Sequence, residues 1–140
     1  MTRLSSWLAA AAIGAAALAL PAARAAAQGF VVVVNAAGTP DLSKDDVSKA
    51  FLKKGSPLVA VDQGKSAGVR DAFSKAVLGR PATAVATYWQ QQIFAGKDVP
   101  PTEKGSDADV LAFVRANPKA IGYVSSSADL GAGVKAVALK

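Results

Sequence analysis

The chain has neither cysteine nor histidine among its 140 residues. Without cysteine, no disulfide and no thiolate metal site can hold the fold, so stability must come from packing. Without histidine, the commonest zinc ligand, the usual general base at neutral pH and the central member of a serine triad are all missing. Nothing in the chain resembles an activated nucleophile, and no enzymatic activity, cofactor or metal is expected. Runs of like charge are lacking too. Sixteen Lys and Arg against ten Asp and Glu leave a net charge of +6, spread along the chain. Nucleic-acid binding calls for clustered cations or exposed aromatic platforms, and with the charge spread in this way no nucleic-acid partner is expected. The glycine patterns that cradle nucleotides, GxxxxGK[ST] and GxGxxG, are absent as well.

The first feature present is at the N-terminus. Thr2 and Arg3 precede an uncharged, alanine- and leucine-rich stretch from Leu4 to Ala23, the layout of a secretory signal peptide. Ala23-Arg24-Ala25 and Ala25-Ala26-Ala27 both offer small-x-small cleavage contexts, and cleavage before Gln28 is favoured because a strand-like run begins almost at once. The rival reading is a membrane anchor, since the stretch approaches the ~20 residues that a spanning helix needs. Its small residues near the end suit a peptidase better than lipid. Residues 1–27 are therefore read as a secretory signal and 28–140 as one periplasmic α/β domain, with no stable membrane insertion after cleavage. The sixteen basic residues less Arg3 and Arg24 leave fourteen in that domain, and a net charge of +4.

Within the domain, Phe30 to Val34 is a continuous apolar, β-branched run, the pattern of a strand buried on both faces. Ser43-Lys44-Asp45-Asp46 has the form of a capping box, and Val47, Ala50 and Phe51 follow at helical spacing. Leu58 to Val61 reads as a second buried strand, stopping at Asp62-Gln63-Gly64. Ser66 can cap a helix bearing Val69, Ala72, Phe73, Ala76 and Val77, which Gly79 ends. Pro81 opens another, with Val85, Trp89 and Ile93 recurring every four residues. Tyr88, Trp89 and Phe94 are assigned to the core on this spacing. Ser106-Asp107-Ala108-Asp109 opens a last helix with Val110, Leu111 and Val114, and Asn117-Pro118 ends it. Ile121 to Val124 and Val134 to Leu139 supply two more strands. The order β-α-β-α-α-α-β-β predicts a mostly parallel sheet with helices on its faces.

Such sheets bind ligands at the carboxyl ends of their strands. The segment Asp62-Gln63-Gly64-Lys65-Ser66-Ala67-Gly68-Val69-Arg70 is a strand end turning into a helix, where unpaired N–H groups can hold an oxyanion. Ser66 offers a hydroxyl, Gly68 close backbone approach, and Arg70 or Lys65 a cation. Ser66, Ala67, Gly68, Val69 and Arg70 are the candidate ligand-binding residues. The plainer alternative makes Ser66 a helix cap and Arg70 a solvated charge. The acidic pairs Asp45-Asp46 and Asp107/Asp109 sit in first helical turns and read as caps.

Several segments together resemble the substrate-binding proteins of phosphate ABC transporters, in particular short single-lobe relatives within the type II periplasmic binding protein superfamily. They are Val31-Val32-Val33-Val34-Asn35, Leu42-Ser43 through Phe51-Leu52, Ser66 through Arg70 to Phe73, Val77-Leu78-Gly79, Tyr88-Trp89, Phe94-Ala95-Gly96-Lys97, Pro100-Pro101 and Ala120-Ile121-Gly122-Tyr123-Val124. The resemblance implies a single periplasmic-binding-protein-like lobe and the binding of phosphate or another small oxyanion for an ABC transport system. Family members carry Ser-Gly-Thr at the anion turn, with an arginine shortly before it. This chain has Ser66-Ala67-Gly68 there and Asp62 near the arginine's place. An acidic residue there repels phosphate where the arginine attracts it, and Arg70 is the residue that can compensate. The expected partners are a small oxyanion, an ABC transporter or other membrane protein, and a second copy of the chain in a homodimer. The alternative from another class is a protein–protein interaction or regulatory module that kept the fold without the ligand.

Overall fold

The computed structural model describes residues 29–64 and 67–140. The signal segment expected over residues 1–27 lies outside the described residues, as do Lys65 and Ser66. Among the described residues no helix is long and apolar enough to cross a membrane.

Period-two alternation in Phe30–Asn35 (β1) sends side chains to both faces of a sheet. Phe30, Val32 and Val34 join one buried cluster, and Val33 belongs to the other. Asp41–Leu42 (β2) is a short strand that the sequence pattern does not announce. Ser43 then caps Lys44–Phe51 (α1) with the full reciprocal box: Asp46 N–H donates to Ser43 Oγ, and Ser43 N–H donates to the Asp46 carboxylate. Val59–Gln63 (β3) runs two residues past its expected stop, because buried Asp62 and Gln63 find polar partners inside the fold. Gly68–Phe73 (α2) continues as one π-helical stretch, Ser74–Leu78, before Gly79 ends it at a φ of 73°. A positive φ costs glycine little, so the chain can reverse there.

Pro81 precedes Ala82–Phe94 (α3), whose first N–H is satisfied by Asp71 Oδ1 at 3.0 Å. Thr102–Lys104 (β4) is a second short strand missed by pattern, following Pro100-Pro101. Ser106 Oγ accepts from Asp109 N–H to start Asp107–Ala116 (α4). Ala120–Ser125 (β5) follows, and the expected final strand divides into Val134–Ala136 (β6) and Ala138–Leu139 (β7).

The main sheet has the order β4-β3-β5-β1-β6, and β2 pairs with β7 in a separate parallel ribbon. β4, β3 and β5 run parallel to one another. β1 runs antiparallel to both β5 and β6, so four of the five strands point one way and the sheet is mostly parallel. One face carries Phe30, Val32, Val34, Ile121 and Tyr123 against Val47, Ala50, Phe51, Phe73 and Val77. The other carries Val33, Val61, Ala120 and Val124 against Val110, Leu111 and Val114 of α4. Asn35 locks that second layer from the end of β1, its Nδ2 donating to the carbonyls of Val114 and Arg115 at 2.9 and 3.1 Å.

Val85 and Trp89 are buried as their spacing predicts. Phe94 is not a core residue: it is 92% exposed, and Ile93 is 53% exposed. Both belong to the last turn of α3, beyond the part of the helix that the domain covers.

Candidate functional site

The carboxyl ends of β3 and β4 and the start of α2 meet at one place. The pairing of Asp62 with Glu103 and of Gln63 with Lys104 brings these strands side by side. Gly64 N–H donates to Lys104 O at 3.0 Å, tying the turn to β4. After the two undescribed residues, Ala67 takes the cap position of α2 in extended conformation without a side-chain cap bond. Gly68 is exposed, and a β-carbon placed on it would meet nothing within 4 Å. Ala67 and Val69 are half-buried. Of the expected site residues, the structure thus brings Ala67, Gly68, Val69 and Arg70 to one turn, and Ser66 lies outside the described residues.

Arg70 is buried, with only 4% of its surface exposed. Its Nη1 donates to Gln63 O at 3.0 Å and to Glu103 Oε1 at 2.9 Å. Its Nη2 lies 3.5 Å from Asp62 Oδ2. The solvated-charge alternative for Arg70 is therefore overturned: α2 directs the side chain back over the end of β3, where carboxylates on two strands neutralise it. Asp62, read from sequence as a repulsive charge facing the ligand, is turned inward as a partner of that arginine.

Behind the arginine lies a connected polar network. Tyr123 Oη donates to Asp62 Oδ1, which also accepts from Gln63 N–H at 2.8 Å. Burial pushes the Asp62 carboxyl above its usual pKa, and the hydrogen bond from Tyr123 and the charge of Arg70 offset only part of that rise. Burial likewise pushes the Tyr123 phenol well above its ordinary value, and the Asp62 charge adds to it. Gln63 Nε2 donates to Asp107 Oδ1 at 2.7 Å and to Tyr123 O at 3.1 Å, while Ser125 N–H donates to the same Asp107 oxygen at 3.1 Å. Burial opposes the Asp107 charge, but the hydrogen bonds from Gln63 and Ser125 outweigh it and hold this carboxyl below the usual range. Asp107 is thus more than an acidic residue in a first helical turn: it ties α4 to β3 and β5.

No motif points to Glu103 or to the part that Tyr123 plays here. Glu103 follows a proline pair in a three-residue strand too short to show a period, and Tyr123 reads from sequence as one apolar position of a strand. The excess of polar residues at Asp62-Gln63, directly after a buried run, is the signal that marks the place.

The architecture matches solved structures of anion-transport proteins. A proposed phosphate ABC transporter substrate-binding protein from Clostridium perfringens, solved with bound phosphate, superposes with a TM-score of 0.57 at 23% identity, over 79% of this chain and 44% of that one. An ABC-type phosphate transport receptor from Vibrio cholerae gives 0.55 at 19% identity, over 79% and 46%. A proposed phosphate-binding protein from Planctomyces limnophilus gives 0.56 at 18% identity, over 80% and 41%. The chain has a phosphate-binding-protein-like fold. It spans less than half the length of these three proteins. No family model and no curated protein matches its sequence.

Proposed function

We propose that this chain is a periplasmic solute-binding-protein-like module, exported by the signal at residues 1–27, whose domain 28–140 binds phosphate or another small oxyanion for an ABC transport system. The observation that carries the reading is the convergence, at the carboxyl ends of β3 and β4, of an open turn at Gly68 and a guanidinium at Arg70. Its support is the match in fold to proteins described as phosphate-binding. Backbone N–H groups at Gly68 and Val69, the Ser66 hydroxyl and Arg70 are the donors assigned to the anion, while the Ala67 N–H is already spent on Gly64 O at 3.0 Å. A ligand held at one open turn stays partly in water, where each contact is weakened and screened. Binding nearer millimolar than micromolar, about −4 to −6 kcal/mol, follows for the monomer. A homodimer closing over the strand ends would add a second wall and tighten it. Calorimetric titration with phosphate, sulfate and small carboxylates tests the reading, and no heat from any of them up to tens of millimolar ends it.

The second reading is an interaction or regulatory module that has lost its ligand. The observation that favours it is the same arginine: two carboxylates already neutralise Arg70. Exposed Val59 and Val99 also flank a cleft of about 440 Å³ beside the amino ends of β3 and β4, away from Arg70. Retention of a membrane-protein partner together with silent anion titrations would select this reading.

A further inference from the structure

We propose that Glu103 is a built-in competitor for the ligand of Arg70, a carboxylate of the chain's own that occupies the guanidinium until an oxyanion displaces it. The proposal rests on the oxyanion reading of the turn from Ser66 to Arg70 and identifies the residue that sets its affinity. A carboxylate presents the same chemistry to a guanidinium as a phosphate oxygen does, a negative acceptor at hydrogen-bond distance. Glu103 Oε1 sits at 2.9 Å from Nη1, where a ligand oxygen would have to sit.

The two carboxylates on Arg70 are not equivalent. Asp62 is fixed from behind by Tyr123 Oη and Gln63 N–H, and its side chain is only 10% exposed. It cannot leave without exposing a buried network to loss of its partners. Glu103 stands on β4, the outermost strand of the sheet, paired on one side only, and its side chain is 40% exposed. Water can solvate its charge as soon as it swings away, so its departure costs little. When it leaves, Nη1 loses that acceptor and can donate to a ligand oxygen, while Asp62 and the Gln63 carbonyl keep the guanidinium in position. Glu103 therefore acts as a movable cover and Asp62 as a fixed anchor.

The test is calorimetric titration of inorganic phosphate, at constant ionic strength, into the wild-type protein and into Glu103→Gln and Glu103→Ala. Asp45→Asn serves as a control, because it makes the same change in net charge at the exposed Asp45–Lys49 pair of α1. The expected result is phosphate affinity raised about three- to tenfold in both Glu103 variants, the range of a partly exposed ion pair, and unchanged in the control. Far-ultraviolet circular dichroism verifies that each variant is folded, and the two Glu103 substitutions guard against misfolding of either one. If the wild type binds phosphate and the Glu103 variants bind it equally or more weakly, the competitor is overturned and the oxyanion site stands. Equal tightening in Asp45→Asn also overturns it, by showing that only long-range charge matters. If none of the proteins binds phosphate, the oxyanion reading falls and the competitor with it.

Discussion

Tyr123 on β5 reaches across to β3 and donates its phenolic hydrogen to Asp62, joining the central strand of the sheet to the strand that carries the candidate site. The ring that holds this hydroxyl is itself held: it stacks on Phe73 with centroids 4.0 Å apart and an 8° interplanar angle, and Phe51 packs obliquely at 5.7 Å. The apolar core thus positions the polar network. Removing the hydroxyl alone should reveal its part in this. Tyr123→Phe keeps the stack but deprives buried Asp62 of a donor, at a cost of about 1–3 kcal/mol in urea unfolding at neutral pH. A change near zero would mean that water or Arg70 replaces the lost bond fully.

The acid limb of stability should carry the signature of Asp62. Its folded-state pKa is raised by burial, so in the interval between the unfolded value, about 4, and the raised folded value, the folded protein binds more protons than the unfolded one. The stabilisation from that proton is fully present below the unfolded pKa and is lost as pH rises through the folded pKa. The amide of Asp62→Asn cannot take up that proton. The unfolding free energy of wild type minus that of Asp62→Asn should therefore be larger near pH 4 than near pH 7. A difference that grows with pH instead would show that the Arg70 pair outweighs burial.

Gly122 lies where β5 passes beneath α4. A β-carbon there would come within 2.8 Å of a methyl of Val110 and a methyl of Val61, and 3.4 Å of one of Val114. All three are fully buried and cannot step aside. Gly122→Ala should cost about 1–3 kcal/mol through overpacking, measurable as a fall in the urea midpoint at unchanged slope.

Two aromatic residues of α3 should behave in opposite ways. Trp89 is 4% exposed, and Trp89→Ala should destabilise by about 3–5 kcal/mol. Phe94, five residues on, is almost wholly exposed, and Phe94→Ala should fall within about 0.5 kcal/mol of wild type. Chemical denaturation of the two variants side by side checks both values, and a large effect at Phe94 would indicate that a partner or a second copy covers it.

Local pattern alone determined much of this domain. The β-branched run at Phe30 to Val34, the capping box at Ser43, the helical spacing of Val110, Leu111 and Val114, and Gly79 as a helix stop all work within a few residues, where periodicity and backbone preference decide. The fold class followed from the order of these elements. Three matters depended on contacts between distant parts of the chain, and only the tertiary structure decided them. The direction of β1, antiparallel to both neighbours, is set by which strands lie beside it and leaves no trace in its own composition. The burial of Ile93 and Phe94 depends on where the domain ends beside α3, which a helical period does not encode. At the candidate site, the passage from a strand to a helix ahead of Arg70 was legible, but the state of Arg70 was not. Its charge is answered by Asp62, eight residues before it, and by Glu103, thirty-three after it on an edge strand too short to show a pattern. Charges find partners through space, and sequence spacing records only those that lie on the same element.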